Sequence, residues 1–158
     1  MLPTLVHMNS FIVSGPKTRT NNQTEMIPAQ ARLPLLWGSF LRQHTKEQIP
    51  DQVKDSPVYG VYTNYQSDFN GDYDVIVGVE TRSTDSDSFS SVQIAEGNYL
   101  VFEKPGNMPQ VIIETWLAIW DYFSEPQSVT CLYTADFEVY KNDGVAIYIA
   151  VEPHYTSA

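Results

Sequence analysis

The chain has 158 residues, enough for one domain with a sizeable core and too few for two comfortable ones. Hydrophobic residues make up 42% of it and charged residues only 18%, a balance that excludes a disordered chain. Nineteen acidic against nine basic residues give a net charge of −10, which leaves no basic footprint for duplex nucleic acid.

Residues 9–20 open with Phe11-Ile12-Val13 and turn polar past Gly15-Pro16, as a first strand entering a turn does. Asn22 with Glu25 three positions on is a variant of the capping box and predicts a helix start. Leu33, Leu36, Trp37, Phe40 and Leu41 then share one helical face, and Pro34 should kink or restart that helix. Residues 43–55 are polar and read as a loop. Strands are predicted over 58–62 and 73–79, joined by a hairpin turn at residues 68–72 that carries Asn70-Gly71.

A Ser/Asp-rich loop at 83–91 leads to a strand over 92–102, broken by Glu96-Gly97. The clearest helix covers 109–123, with Ile112, Trp116, Ile119, Trp120 and Phe123 on one face and Pro126 beyond its end. Strands at 136–140 and 145–151 close the chain, with Asp143-Gly144 as the hairpin pair between them.

The order strand, helix, strand, strand therefore occurs twice. Val58-Tyr59-Gly60-Val61-Tyr62 rhymes with Asp136-Phe137-Glu138-Val139-Tyr140, aligning Tyr59 with Phe137 and Tyr62 with Tyr140. Two such units predict a single α+β domain over residues 1–158. They build one mostly antiparallel sheet with both helices on one face and a ligand crevice between them. Gly60 stands where the second half has Glu138, which predicts one anionic end to the crevice and not two.

Several chemistries lack their residues. One cysteine, Cys131, excludes an internal disulfide and a multi-Cys zinc site, and reads as a packed, inert thiol. His7, His44 and His154 have no metal-ligand spacing, and no GxGxxG, Walker lysine motif or nucleophile turn occurs. Neither a catalytic residue nor a metal or cofactor is expected. The N-terminus lacks the pattern of a secretory leader, and no apolar run approaches the ~20 residues of a spanning helix. The expectation is a cytoplasmic protein, monomeric or homodimeric, that engages neither membrane nor nucleic acid directly.

Leu36-Trp37 with Phe40, residues 58–62, Asn70-Gly71-Asp72-Tyr73 and Gly97-Asn98-Tyr99 form one ordered set of fragments. Trp116 with Ile119-Trp120, residues 136–140 and Ile147-Tyr148-Ile149 continue it. In these fragments the chain resembles the GyrI-like, or AraC-type effector-binding, domains, and most closely the free-standing versions from integron cassettes. The resemblance implies a pocket for lipophilic, often cationic drugs and dyes, with a glutamate buried amid tryptophans and tyrosines. It also implies a sensor or sequestering module without a DNA reader of its own. Two alternatives follow from the same family: a hydrolase of electrophilic small molecules with a pocket glutamate as general base, and an inhibitor that binds a protein.

Glu138 is the most informative position, because a strand carboxylate between Phe137 and Val139 is costly to bury without a partner. It shares a sheet face with Asp136 and Tyr140. That face looks either into the crevice, where Glu138 becomes a fixed counter-charge, or to solvent. Glu114 is a second acidic candidate on the long helix. Trp116 and Trp120, four apart, share a helix face, one expected in the core and one in the pocket wall. Trp37, Tyr59, Tyr62 and Tyr140 complete the expected ligand-binding set, since aromatic faces attract an amphipathic cation.

Overall fold

The computed structural model describes residues 2–153, apart from 69, 85 and 86; Phe69 of the predicted turn, parts of the 83–91 loop, and His154 lie outside the described residues. Ten strands and four helices follow one another. These are β1 (Thr4–Met8), β2 (Phe11–Gly15), β3 (Lys17–Thr20), α1 (Asn22–Glu25), α2 (Leu33–Arg42), α3 (Thr45–Gln48), β4 (Val58–Thr63) and β5 (Tyr73–Thr81). Then come β6 (Ser90–Ile94), β7 (Gly97–Pro105), α4 (Gln110–Ser124), β8 (Val129–Cys131), β9 (Ala135–Lys141) and β10 (Gly144–Pro153).

The strands form one sheet in the order β1-β7-β10-β9-β4-β5-β2-β6, with β3 on β5 and β8 on β10. Every pairing among the described residues is antiparallel. The order is symmetric about the β9–β4 pair, so the predicted repeat is real. Each half gains a leading edge strand that crosses over: β1 pairs with β7 of the second half and β6 with β2 of the first.

That exchange forces the sheet to curl. In a flat sheet β1 and β2 would lie six strand steps of about 4.8 Å apart, near 29 Å in all. Residues 9–10 are their only link, and three Cα–Cα steps of 3.8 Å bridge at most about 11 Å. The curl gives the sheet an inner face and an outer face, both buried by alternating residues. Val13, Tyr59, Val61, Ile76, Tyr99 and Phe137 fill the inside. On the other face α2 lays Phe40 against Tyr73, Val75, Val77 and Val79 of β5. There α4 lays Val111 and Ile119 against Leu100 and Phe102 of β7 and Ile147 and Ile149 of β10. Both longer helices thus sit on one face, as the sequence predicts.

Local differences have local causes. Pro34 falls in the first turn of α2, where its missing N–H costs nothing, so it starts the helix and does not kink it. The cap of α1 is Asn21, whose Oδ1 accepts from the Thr24 N–H at 2.7 Å. Glu25 instead reaches forward to accept from the Arg32 and Leu33 N–H groups at 2.9 and 3.1 Å, closing the N-terminus of α2. A short helix, α3, interrupts the predicted 43–55 loop. Asn70-Gly71 lies in a nine-residue connection between β4 and β5, not in a two-residue hairpin. In the last hairpin the loop pair is Asn142-Asp143, because Gly144 already faces Lys141 in the ladder. The interruption at residues 95–96 separates two strands with different partners, β6 and β7.

Gly15 and Gly78 mark a close backbone approach between β2 and β5. A Cβ at Gly78 would lie 1.8 Å from the Ser14 carbonyl oxygen, and one at Gly15 lies 1.9 Å from that of Val77. Neither contact can be relieved by a side-chain rotation. Gly78→Ala is therefore expected to destabilise the fold by ~2 kcal/mol or more, read as a lower urea midpoint, whereas Gly97→Ala, with open space around its Cβ position, should cost far less. Equal midpoints for the two variants would refute the close-approach account.

Candidate functional site

Antiparallel register builds the site. β4 and β9 pair with Gly60 opposite Glu138, Val58 opposite Tyr140 and Tyr62 opposite Asp136. Residues 58–62 and 136–140 are the two rhyming segments, so Gly60 and Glu138 are counterparts and a local twofold axis passes between them. The absent side chain makes room for the charged one. A Cβ at Gly60 would stand 2.6 Å from Glu138 Oε1 and 3.3 Å from Trp37 Cζ2.

Glu138 faces the helices and is only 2% exposed. Three neutral donors hold it: Tyr62 Oη and Trp116 Nε1 each donate to Oε2 at 2.7 Å, and Tyr140 Oη donates to Oε1 at 2.6 Å. Burial pushes its carboxyl above the usual range, and these three hydrogen bonds pull it back. Burial, then the neighbouring Glu138 charge, pushes the Tyr62 and Tyr140 hydroxyls well up, so both stay donors.

Two residues back on the same face lies a second buried carboxylate, Asp136. Tyr65 Oη donates to its Oδ2 at 2.6 Å and the Ala150 N–H to its Oδ1 at 2.9 Å. Burial raises Asp136 to about 6, with the Tyr65 and Ala150 hydrogen bonds acting the other way. Among the described residues no basic side chain comes within ion-pair distance of either carboxylate.

Both groups border a cavity of about 960 Å³ between α4 and the α1–α2 segment. Ile112, Trp116, Ile119, Trp120 and Phe123 form its α4 wall, with Met26 and Leu33 across from them. None of the described lining residues is Lys, Arg or His. The chamber is thus apolar and aromatic, with two acids at its sheet floor and no basic side chain among its described lining residues. Such a chamber can desolvate a flat apolar body while meeting a positive charge with a fixed counter-ion.

The sequence-derived candidates divide. Glu138, Tyr62, Trp116 and Trp120 all line the cavity. Trp120 does not go to the core: it is 48% exposed at the mouth, its ring 6.2 Å from that of Trp116. Tyr140 and Trp37 lie behind the site. Tyr140 braces Glu138, and Trp37 packs edge-on against Tyr140 at 4.6 Å. Tyr59 is corrected to the opposite face, buried beside Phe11 and Phe137, because an odd strand position next to Gly60 must point inward. Glu114 is also corrected. It projects from the outer side of α4, paired with Lys104 at 3.2 Å, and its pKa is lowered by the Gln110 hydrogen bond and by Lys104.

The expectation of a single anionic end is corrected too, since Asp136 joins Glu138 at the floor. The i, i+2 spacing contained that signal. Tyr65 carried no signal in the sequence, since only the long β4–β5 connection brings it over the sheet. Cys131 borders the cavity, and burial, then the Asp136 charge, pushes its thiol up to about 12, so it stays an unreactive thiol.

A family model described as Cass2, integron-associated effector binding protein, matches residues 4–151. The integron cassette protein VCH_CASS2, from the mobile metagenome of Vibrio cholerae, is 37% identical, with 96% of each chain covered and a TM-score of 0.81. YobU of Bacillus subtilis (strain 168), which carries a transcriptional-regulator name, is 26% identical over 94% of this chain and 96% of its own. SAV2435, solved bound to tetraphenylphosphonium, shares the fold at 19% identity and a TM-score of 0.77, with 96% of this chain and 94% of that chain covered.

The Asp136 shift has a defined sign. In the unfolded chain the group ionises near 3.8 and in the folded chain near 6. Its neutral form is thus favoured by folding, and that contribution is lost as pH rises from about 4 through 6. Asp136→Asn keeps an acceptor for Ala150 and removes the titration. The stability of the variant relative to the parent should therefore rise by about 2 kcal/mol between pH 4 and pH 7 in ligand-free urea unfolding. A difference independent of pH would refute the assignment.

Proposed function

The chain belongs to the Cass2 family of integron-associated effector-binding proteins, and from that membership we propose that it is a receptor for amphipathic organic cations, with Glu138 as their counter-charge. One observation carries this reading: a carboxylate buried on the floor of an aromatic chamber, held by three neutral donors, with no basic side chain within ion-pair distance among the described residues. A buried anion without a partner is costly, and a ligand cation removes that cost on arrival. The donors fix the carboxylate before the ligand enters, so little ordering is left to oppose binding.

The magnitudes are adequate. Covering ~300 Å² of apolar ligand surface contributes about 7.5 kcal/mol, and a cation over a desolvated indole such as Trp116 adds ~2 kcal/mol. After the cost of immobilisation, micromolar binding, ~8 kcal/mol, is within reach. The complex of SAV2435 with tetraphenylphosphonium supports the same ligand class on the same fold. On this reading the ligand is not duplex DNA, whose phosphates a net charge of −10 opposes.

Tetraphenylphosphonium and tetraphenylborate, nearly identical in shape and opposite in charge, test the reading. Tryptophan fluorescence should report tetraphenylphosphonium binding at micromolar concentration or below, and tetraphenylborate binding at least a hundredfold weaker. Glu138→Gln should weaken the cation by tenfold or more and narrow the gap between the two. Equal affinity for both ions, or a cation affinity indifferent to Glu138→Gln in a variant with unchanged circular dichroism, would overturn the proposal.

A further inference from the structure

We infer that the cavity is built for dications, one positive charge set by Glu138 and a second by Asp136; this rests on the cation-receptor reading above and narrows its ligand class. Both carboxylates lie on one face of β9, two residues apart, and both border the same cavity. At about 3.3 Å of rise per strand residue their backbone anchors are ~6.6 Å apart. Each is held by its own neutral donors, Tyr62, Trp116 and Tyr140 for Glu138, and Tyr65 with the Ala150 N–H for Asp136. Neither is paired with a basic side chain among the described residues, so one monocation leaves one buried acid unmatched.

The aromatic lining follows the same division. Tyr133, Tyr65, Tyr73, Tyr62, Trp116 and Trp120 form an unbroken arc, each ring 5.3 to 6.2 Å from the next. Its Tyr133–Tyr65 end stands beside Asp136, and its Trp116 end beside Glu138. A cation at either carboxylate therefore lies among aromatic rings as well as beside a counter-charge. The connecting body of the ligand runs along the arc. At about 960 Å³ the chamber has the volume for a two-headed molecule.

The experiment uses a homologous series of α,ω-bis(trimethylammonium) alkanes against alkyltrimethylammonium monocations of the same length, by calorimetry or by displacement of tetraphenylphosphonium. The heads carry permanent charge, so ligand protonation does not enter. With anchors ~6.6 Å apart, the best dication should have about four to six methylenes and bind at least tenfold tighter than its matched monocation. Chains of two or of ten methylenes should lose that advantage. In Asp136→Asn the dication-to-monocation ratio should fall towards one. The length optimum is measured on the unaltered chain, so it holds whether or not the variant folds. A ratio near one at every length would overturn the dication inference, and so would a ratio that Asp136→Asn leaves intact. Either result would leave the cation-receptor reading standing, provided tetraphenylphosphonium still binds through Glu138. Absence of tetraphenylphosphonium binding would overturn both.

Discussion

Glu138 is a carboxylate almost wholly removed from water, with no basic side chain within ion-pair distance among the described residues, and the architecture around it is arranged to hold that charge. Its position is central, on the strand pair about which the two halves are related. Its three hydrogen bonds come from three different elements: Tyr62 on β4, Tyr140 on β9 and Trp116 on α4. The carboxylate therefore ties a helix to both central strands. All three donors are neutral, so they orient the charge without cancelling it, which leaves the electrostatic field available to a ligand.

Near-symmetry explains why there is space for such a group. Two copies of one unit meet along β4 and β9, and at the axis any side chain would face its own counterpart. Two glutamates there would repel at contact distance, and two large apolar residues would fill the floor. Glycine on one strand and glutamate on the other breaks the symmetry where both outcomes would be worst, with Gly60 giving up the volume that Glu138 occupies. The exchanged edge strands β1 and β6 lock the halves together and curl the sheet. One face is thereby sealed around an apolar core, and the other is left for the helices and the cavity between them.

The family assignment and the geometry of the site are independent and agree. The cavity is lined by aromatic rings packed against one another. The helix walls and the sheet floor have different tasks. The α4 wall with Met26 and Leu33 supplies apolar surface, while β9 supplies the two buried carboxylates, Asp136 and Glu138. Cys131 and Tyr133 also border the cavity, and burial pushes both groups up to about 12.

How much of this was legible in the sequence depends on the range of the interaction involved. Period-two and helical patterning, the aromatic rhyme of residues 58–62 with 136–140, and Glu138 as a strand carboxylate among aromatics are local facts. They specified the repeat, the α+β layering and the central acidic residue. Strand alternation even contained Asp136, two positions from Glu138. The crossed pairing of β1 with β7 and β6 with β2 could not be read, since edge pairing depends on which distant strand is left open once the sheet curls. Nor could the sequence tell that Tyr59 points inward while Tyr62 points to the cavity, because one register choice flips a whole strand. Glu114 stood as a second acidic candidate behind Glu138, and only the fold shows that Lys104 on β7 pairs with it. Composition and periodicity determined what kind of residues line the chamber. Only the tertiary register decided which carboxylates lie buried without a cation, because an ion pair is a contact between residues far apart in the chain.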